Sequence, residues 1–402
     1  MRVIFIGGCP PKHLQNKVKE WGSPVDFAGY AFQSALLSGL DNVCREVKVL
    51  TILWVLSWPK AKKIYLKREF FSHNDGLEKI DVFVGFINFP FIKRISIAWR
   101  MYKALRKEIR KGGDIAIINY SLLSCNMLPI ALLQKYFVKT CQIVPDLPEY
   151  MSENKSTAYK IGKAIDRKII NWCIKRFDCF ALLSKHMKDR LPIGVKPWMI
   201  LEGIFRPEDR NTIVNNNKND SGKKIVMYSG ALGLRYGVGD MVEAFSMIND
   251  NDYELWICGQ GNAVSIIKEY AQKDGRIKYF GTISREEVLK MQQRATLLIN
   301  PRHKTEEYTK YSFPSKTMEY LASGTPVLMS HLESIPSDYD SHLFYFDDET
   351  PLGMSRKMIQ VCSVPQELLR EKGEQASAFI LKNKCSDVQA RKLMELMIEV
   401  KQ

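Results

Sequence analysis

The chain has 402 residues, which is longer than a chain with a single hydrophobic core usually is. Because a domain typically has roughly 100 to 200 residues, this length predicts two domains. With 46% hydrophobic and 26% charged residues, the chain has the composition of a globular protein. Its nine cysteines include no C-x-x-C pair, which argues against structural zinc and favours a reducing, cytoplasmic compartment. No signal sequence is expected at the N-terminus. The net charge of +15 lies in the first half, because residues 1–200 hold 33 Lys and Arg against 16 Asp and Glu, whereas residues 201–402 hold 26 against 28.

Apolar strands alternate with helical patterns through the first half. The sequence RVIFIGG (2–8) predicts a strand that ends in a glycine turn, FAGYAFQSALLSGL (27–40) a helix, and EVKVLTIL (46–53) a second strand. Three further strands are predicted at 114–119, 140–146 and 178–184. Such alternation is typical of a doubly wound parallel sheet.

A basic helix is predicted at 91–111 (FIKRISIAWRMYKALRKEIRK), where much of the positive charge lies. Its apolar residues recur at helical spacing at Ile95, Trp99, Tyr102, Leu105 and Ile109. One interpretation is an amphipathic helix in an anionic membrane interface, with Trp99 at headgroup depth. The other is a core-packing helix of the first domain with a basic face in solvent, and the two interpretations are compatible with each other.

The uncharged run 115–134 (IAIINYSLLSCNMLPIALLQ) is long enough to span a bilayer. It contains Asn119, Ser121, Ser124, Asn126 and Pro129, and divides into a β-rich segment, a polar turn and the start of a helix. We therefore predict a buried strand and helix, and no transmembrane segment.

The segment VPDLPEYM (144–151) follows a predicted strand of the first domain and carries Asp146 and Glu149. Either carboxylate is a candidate for positioning the hydroxyl of an acceptor substrate. Capping of a following helix is the alternative role for both residues.

A polar, Asn-rich stretch at 206–224 (RPEDRNTIVNNNKNDSGKK) separates this half from a second alternation of strands and helices that begins with KIVMYSG. Two α/β domains in tandem are expected to face each other across a ligand cleft at the carboxyl ends of their strands. The predicted parts are an N-terminal domain (1–205), a linker (206–222), a C-terminal domain (223–375) and a C-terminal helix (376–402) that packs back on the N-terminal domain.

Three strands are expected to end in glycine turns whose free N–H groups suit a phosphate. These turns are Gly7-Gly8, Ser229-Gly230-Ala231 and Gly259-Gln260-Gly261. None is a G-x-G-x-x-G or P-loop motif, so each alone is also an ordinary turn, and only the three together favour a nucleotide. The glycine-rich loop in YSGALGLRYGVG adds Arg235, whose guanidinium matches a diphosphate; a solvated loop arginine is the alternative.

The stretch YSFPSKTMEYLASGTPVL (311–328) predicts a helix that begins near Pro314, capped by Ser312 or Ser315. The N-terminus of such a helix, with Lys316 beside it, suits an anion. Glu319 lies one turn further along, where its carboxylate is placed to accept two ribose hydroxyls. A surface glutamate of a helix is the alternative.

From about residue 223 to 330, the chain resembles the retaining glycosyltransferases of family 4, which have the GT-B fold. The matching segments are YSGALGLRYG, ELWICGQGN, RIKYFGTISREEV, LLINPR and FPSKTMEYLASGTPVL, in the family's order. Weaker similarity before residue 200 involves the GG strand end, DFAG (26–29), VPDLPEYM and LSKHM leading to LEGIF. The resemblance implies an α/β protein of two Rossmann-like domains that transfers a sugar with retention, the leaving diphosphate accepting the hydroxyl proton.

The family pattern has two glutamates separated by seven residues. Glu319 matches the second, which by resemblance binds the ribose, whereas Tyr311 stands at the position of the first, which usually contacts the transferred sugar. The family also tends to carry two basic residues for the diphosphate. Arg235 matches one of them, and Lys316 or Arg302 is expected to supply the other. Arg235, Lys316 and Glu319 are thus the expected catalytic residues.

The function expected from these observations is transfer from a nucleotide diphosphate sugar, a UDP-sugar by expectation, to a lipid-linked saccharide in bacterial surface polysaccharide synthesis. No metal or other cofactor is expected, and the protein is expected to lie on the inner face of the membrane. Two alternatives remain at this point. One is a sugar-nucleotide epimerase of the same fold; the other is a nucleic-acid-binding protein that uses the basic half, although the nucleotide-binding pattern of the second half does not fit it.

Overall fold

The computed structural model describes residues 1–74, 76, 80–147, 149, 157–206 and 222–399. They divide into two compact units, one of residues Met1–Ile204 with Ser386–Gln402 and one of residues Phe205–Cys385. The linker predicted at 206–222 falls almost wholly outside the described residues.

The first unit is built on an eight-stranded sheet that is parallel except at one edge strand. Its strands are β1 (Arg2–Gly7), β2 (Val47–Thr51), β4 (Glu69–Phe71), β5 (Asp81–Phe83), β7 (Ile115–Tyr120), β8 (Lys139–Val144), β9 (Cys179–Leu182) and β10 (Trp198–Ile200), and β3 (Tyr65–Leu66) pairs separately with β6 (Phe86–Ile87). The order is β10-β9-β8-β7-β1-β2-β5-β4, with Val3 opposite Val47 and Ala116. All six residues of β7 are buried, as expected for a central parallel strand covered on both faces.

Six helices complete the first unit. They are α1 (Lys12–Glu20), α2 (Phe27–Val43), α3 (Ile92–Ile109), α4 (Ser124–Leu132), α5 (Thr157–Ile174) and α12 (Ser386–Glu399). The last of them comes from the far end of the chain and lies so close to α2 that a Cβ on Gly39 would stand 2.1 Å from the carbonyl oxygen of Ser386. The hydrogen bond from Asn42 to Asp387 joins the same two helices.

The second unit has a six-stranded parallel sheet in the order β13-β12-β11-β14-β15-β16. Its strands are β11 (Lys224–Ala231), β12 (Tyr253–Gln260), β13 (Ile277–Gly281), β14 (Leu297–Asn300), β15 (Val327–Met329) and β16 (Phe344–Tyr345), and its helices are α6 (Val238–Ser246), α7 (Val264–Lys273), α8 (Arg285–Arg294), α9 (Ser315–Ala322), α10 (Pro351–Cys362) and α11 (Gln366–Asn383). Alternate residues of β11 enter opposite cores: Val226 packs with α6 and α10, and Met227 with α8, α9 and α11. Helices therefore cover both faces, and the predicted α/β class with two Rossmann-like parts is confirmed.

The boundary placed at residue 375 by the sequence lies inside α11, which continues to Asn383 and packs on α9. The two units separate at residues 385 and 386 instead. Leu369, Ala376 and Ile380 of α11 are buried in the second unit, and the division into two units assigns the following helix, α12, to the first.

The run 115–134 folds as the predicted strand, turn and helix, in β7 and α4. No helix within the described residues is both long and apolar enough to cross a bilayer.

The helix predicted at 91–111 is α3, but the face expected to be apolar and packed is only partly buried. Ile97, Met101 and Leu105 form the buried face, together with Glu108, which binds Lys48. Ile95 is 71% exposed and Trp99 57% exposed. The helix therefore packs on the core of the first unit, as the second interpretation expected, but it does so through Ile97, Met101 and Leu105 and not through Ile95 and Trp99.

Candidate functional site

The candidate site lies at the carboxyl ends of the central strands of the second unit. Gly230 of β11 is opposite Gly259 of β12, and a Cβ on Gly259, whose φ is +136°, would stand 1.8 Å from the carbonyl oxygen of Gly230. Gly237 has a φ of +74°, and a Cβ there would stand 2.0 Å from the carbonyl oxygen of Pro301. Only glycine permits these two approaches. The first joins the ends of β11 and β12, and the second brings the loop after β11 against the loop after β14.

Arg235 and Arg302, one from each of these loops, share a pair of tyrosines. The guanidinium carbon of Arg235 lies 5.2 Å from the ring centre of Tyr236 and 4.5 Å from that of Tyr308. For Arg302 the corresponding distances are 4.9 Å and 5.6 Å. The tyrosines thus hold two positive charges in one place by cation–π contacts, which offset part of their repulsion.

The guanidinium of Arg302 has unused donors. Its Nε and Nη1 are buried, and neither has a hydrogen-bond partner among the described residues. A buried donor without a partner costs about 1–3 kcal/mol, so an acceptor bound to these groups would stabilise the arrangement. A planar guanidinium with two free N–H groups is suited to the oxygens of a phosphate or diphosphate.

The helix predicted near Pro314 is α9, but the predicted caps are wrong. The helix begins at Ser315, the N-cap residue is Pro314, and no side chain caps the helix. Ser312 lies too far before the first turn, and its carbonyl oxygen instead accepts a hydrogen bond from Ser334. Because proline has no side-chain acceptor, the first amides of α9 are left without a side-chain cap, which suits an anion.

Lys316 brings a third cation to the same strand ends. A Cβ on Gly230 would stand 3.7 Å from Cγ of Lys316, so the lysine side chain passes over the glycine at the end of β11. Its Nζ donates to Oε1 of Glu319 at 3.0 Å, and the side chain remains 41% exposed. The structure therefore brings the predicted Gly230, Lys316 and Glu319 together.

The carboxylate of Glu319 is mostly buried and held by two donors. Its Oε1 also accepts from Nε2 of Gln292 at 2.9 Å, and its Oε2 lies 3.9 Å from Nε of Arg285. Burial raises the pKa of Glu319, but the charge of Lys316 and the hydrogen bonds from Gln292 and Lys316 outweigh it, so the pKa lies below its usual value. Glu319 is thus an ionised acceptor at neutral pH rather than a solvated surface glutamate.

Tyr320 of α9 anchors this helix to strand β11 through its hydroxyl group. Its hydroxyl donates to the carbonyl oxygen of Ser229 at 2.9 Å and accepts from the Ser229 amide at 2.8 Å. The same serine's Oγ accepts from Gln292, whose other hydrogen bond goes to Glu319. The end of β11 therefore holds both the helix and its glutamate in position. Tyr311, at the position of the first family glutamate, is buried.

The predicted residues of the first unit show a different pattern. The amide of Gly8 donates to Oε1 of Gln33 at 2.7 Å, and a Cβ on Gly8 would stand 1.6 Å from Nε1 of Trp54. The expectation that this amide is free for a phosphate is therefore wrong, because α2 already supplies its acceptor. The glycine is required by the close approach of Trp54.

Asp146 directly follows β8, and Glu149 is exposed nearby. The side chain of Asp146 reaches solvent, yet the surrounding protein atoms and the charge of Asp26 raise its pKa to about 6. Asp26 itself begins α2, where its side chain accepts from the amide of Gly29. The structure thus places a carboxyl group with a raised pKa at the strand ends of the first unit.

Sequence reasoning missed four contributors: Tyr236, Tyr308, Gln292 and Tyr320. Tyr236 adjoins Arg235, and its aromatic ring next to a basic loop residue was the one available signal. Tyr308, Gln292 and Tyr320 reach their partners across 73, 27 and 91 residues of sequence, and no local spacing indicates them. Among the described residues, no group of three or more His, Cys, Asp or Glu side chains is placed to hold a metal ion.

The second of two Rossmann-like units carries a cluster of basic side chains at its strand ends, and comparisons with known proteins indicate the class to which this arrangement belongs. Residues 209–378 match the family model described as glycosyl transferases group 1. The second unit therefore carries a group 1 glycosyl transferase domain, and the chain has the GT-B fold that the resemblance implied. No curated protein sequence matches the chain.

Solved structures are similar over the whole chain at low sequence identity. Sucrose-phosphate synthase from Thermosynechococcus elongatus is 13% identical with a TM-score of 0.63, and covers 100% of this chain and 99% of its own. Anabaena HepE in complex with UDP is 11% identical with a TM-score of 0.64, at 99% and 100% coverage. An E. coli trehalose-6-phosphate protein bound with UDP-2-fluoro glucose is 8% identical with a TM-score of 0.62, at 99% coverage of both chains.

Proposed function

We propose that the protein transfers a sugar from a UDP-sugar, with retention of anomeric configuration, to a lipid-linked saccharide in the synthesis of a bacterial surface polysaccharide. In this proposal the second unit binds the donor and the first unit binds the acceptor. The reaction takes place on the cytoplasmic face of the membrane, without a metal ion.

The observation that carries the donor assignment is the pair of buried N–H groups of Arg302 beside Arg235. A diphosphate supplies the acceptors that these groups lack, and its charge offsets the repulsion between the two arginines. Lys316 and the first amides of α9 add further donors on the neighbouring strand end. These protein cations take the place that a metal ion has in other diphosphate sites.

Glu319 is proposed to bind the ribose of the same nucleotide. The side chain is ionised and fixed by Gln292 and Lys316, so its position is set before the donor arrives. In the reaction, the cations stabilise the diphosphate as it gains charge, and the leaving diphosphate accepts the proton of the attacking hydroxyl. The UDP in the HepE structure and the UDP-2-fluoro glucose in the E. coli structure support uridine as the base.

The acceptor side rests on the first unit alone. Asp146, whose pKa is raised to about 6, is proposed to position the acceptor hydroxyl together with Glu149. The excess of 33 basic over 16 acidic residues in residues 1–200 supports an acceptor carried by an anionic membrane. Ile95 and Trp99, exposed on the basic helix α3, support contact with its interface.

A nucleotide panel in a thermal unfolding assay tests the donor assignment. UDP and UDP-sugars at a hundred times their dissociation constant should stabilise the protein by about 2.7 kcal/mol, whereas ADP, GDP and CDP should stabilise it less. A matched panel of uridine and inorganic pyrophosphate separates the base from the phosphates. Stabilisation by none of the nucleoside diphosphates would refute the donor site, and equal stabilisation by all of them would refute the choice of uridine.

A further inference from the structure

An apolar groove crosses the surface of the first unit between α3, α4 and α5. It has a volume of about 680 Å³, within the range of sites that hold an organic ligand. Its apolar walls come from two residues of each helix: Ile95 and Trp99, Leu128 and Leu132, and Ile165 and Ile169. Large apolar side chains lie along it in contact with solvent, since Ile95, Trp99, Leu132 and Ile165 are all exposed.

Arg94 and Asp166 in the lining of this groove form a salt bridge, so their charges offset each other. Asp166 of α5 forms a salt bridge with Arg94 of α3 and accepts a hydrogen bond from Ser124 of α4. This contact ties the three helices together at the groove and leaves its carboxylate with partners. The groove therefore presents hydrocarbon surface rather than unpaired charge to an occupant.

A smaller pocket of about 310 Å³ lies on the other side of Trp99 and has the opposite character. Four basic residues line it: Arg68, Arg100, Lys103 and Lys107. Among the described residues, no carboxylate forms a salt bridge with any of these four side chains. Lys103 Nζ lies 4.7 Å from the Trp99 ring centre, so the indole borders both the basic pocket and the apolar groove.

We propose that the groove and the basic pocket together bind one molecule of an anionic membrane lipid, with a hydrocarbon chain in the groove and the headgroup phosphate in the pocket. The adjacency of an apolar channel and four cations that form no salt bridge within the described part of the chain selects an amphiphile with a negative headgroup. The choice of a membrane lipid rests on the proposed contact of the first unit with an anionic membrane. Beyond that contact, the proposal assigns one lipid-binding site to each protein molecule, which general adsorption of a basic helix would not require.

The test uses lysophosphatidylglycerol below its critical micelle concentration, because a monomeric lipid has no bilayer surface to offer. Calorimetry of the full chain should show saturable binding at one lipid per protein, with affinity rising about fourfold for each methylene added to the chain until the groove is full. Lysophosphatidylcholine of the same chain length should bind more weakly, since its headgroup has no net negative charge.

Two variants address the two halves of the site. Ala98→Phe, which places a ring in the lining of the groove, should lower the affinity more than tenfold. Lys103→Gln with Lys107→Gln should lower it about thirtyfold for the anionic lipid and little for lysophosphatidylcholine. The matched control is Lys17→Gln with Lys60→Gln, which removes two exposed lysines of the same unit away from the pocket and should leave the affinity unchanged.

The outcomes separate this inference from the proposed function. Flotation of the wild-type protein with phosphatidylglycerol vesicles but no binding of the monomeric lipid overturns the site and leaves membrane attachment standing. Binding of the monomeric lipid without flotation supports the site and removes the attachment. Equal lipid affinity in wild type, Ala98→Phe and the Lys103/Lys107 variant also overturns the site. If Ala98→Phe instead converts a dimer into a monomer in sedimentation, the groove is an interface between two copies and the inference is wrong.

Discussion

Replacement of Glu319 by alanine should weaken the binding of UDP with little effect on folding. In the free protein the carboxylate has two donors, Gln292 at 2.9 Å and Lys316 at 3.0 Å. The change leaves Lys316 41% exposed to water, and the buried Gln292 keeps its bond to Ser229 Oγ but loses the acceptor of its second N–H. We therefore expect a stability loss of about 1–2 kcal/mol, the size of a lost hydrogen bond and a partly exposed ion pair.

The effect on the ligand should be larger. Hydrogen bonds from ribose hydroxyls to a carboxylate contribute about 1.5–3 kcal/mol, so Glu319→Ala should weaken UDP roughly ten- to hundredfold. Calorimetric titration with UDP and with 2′,3′-dideoxy-UDP isolates the ribose contribution. The wild-type protein should prefer UDP by this factor, and the variant should bind the two nucleotides almost equally.

The matched control is Glu286→Ala, which removes an exposed helical glutamate paired with Lys290. It should leave both affinities unchanged. The reasoning is refuted if Glu319→Ala weakens UDP and dideoxy-UDP by the same factor. That result would mean that Glu319 acts by holding Lys316 against the phosphates and does not contact the ribose.

Three further predictions follow from the same geometry. Arg235→Ala should lower turnover more than donor affinity, because the diphosphate gains charge in the transition state. Arg235→Lys should restore little of the turnover, since lysine lacks the guanidinium fork. Wild-type turnover of the alanine variant with the same UDP-sugar would remove Arg235 from the site. Gly259→Ala should destabilise the second unit by several kcal/mol, because the added Cβ stands 1.8 Å from the Gly230 carbonyl oxygen. Denaturant unfolding measures this loss, with Gly275→Ala at an exposed position as the control. Burial lowers the pKa of His73, but its hydrogen bonds to Asp41 and Asp81 raise it to about 9. The contribution of this group to stability is therefore complete below pH 6.5 and is lost as the pH rises through 9. His73→Gln should flatten the pH dependence of the free energy of unfolding in that window, and an unchanged slope would contradict the assignment.

Much of the second unit could be predicted because its signals are local. Strand, turn and helix follow one another within YSGALGLRYG and FPSKTMEYLASGTPVL, and Lys316 and Glu319 lie one helical turn apart, so their proximity follows from the helix itself. Arg235 lies within the glycine loop that identified it.

The errors have a common origin in contacts between distant segments. The amide of Gly8 is taken by Gln33, a residue of α2 that no motif connects to the glycine turn. The sequence of α3 also does not show which of two apolar stripes is buried, because both contain Leu105 and only the packing of the helix on its neighbours decides between them. Gln292 has no motif, and its role depends on the distance between α8 and α9 in the folded unit.

The measurement that tests the donor site most directly is a calorimetric cycle of UDP and uridine with wild-type protein and Arg302→Met. Methionine retains an unbranched apolar side chain and removes the two buried N–H groups that have no partner among the described residues. We expect the free variant to be as stable as wild type or more so, uridine to bind both proteins equally, and UDP to lose at least about tenfold in affinity for the variant, the factor of a charge-assisted hydrogen bond. If UDP binds Arg302→Met as tightly as wild type while the free variant is destabilised, the arginine is a structural residue of the tyrosine cluster and the proposed diphosphate site is wrong.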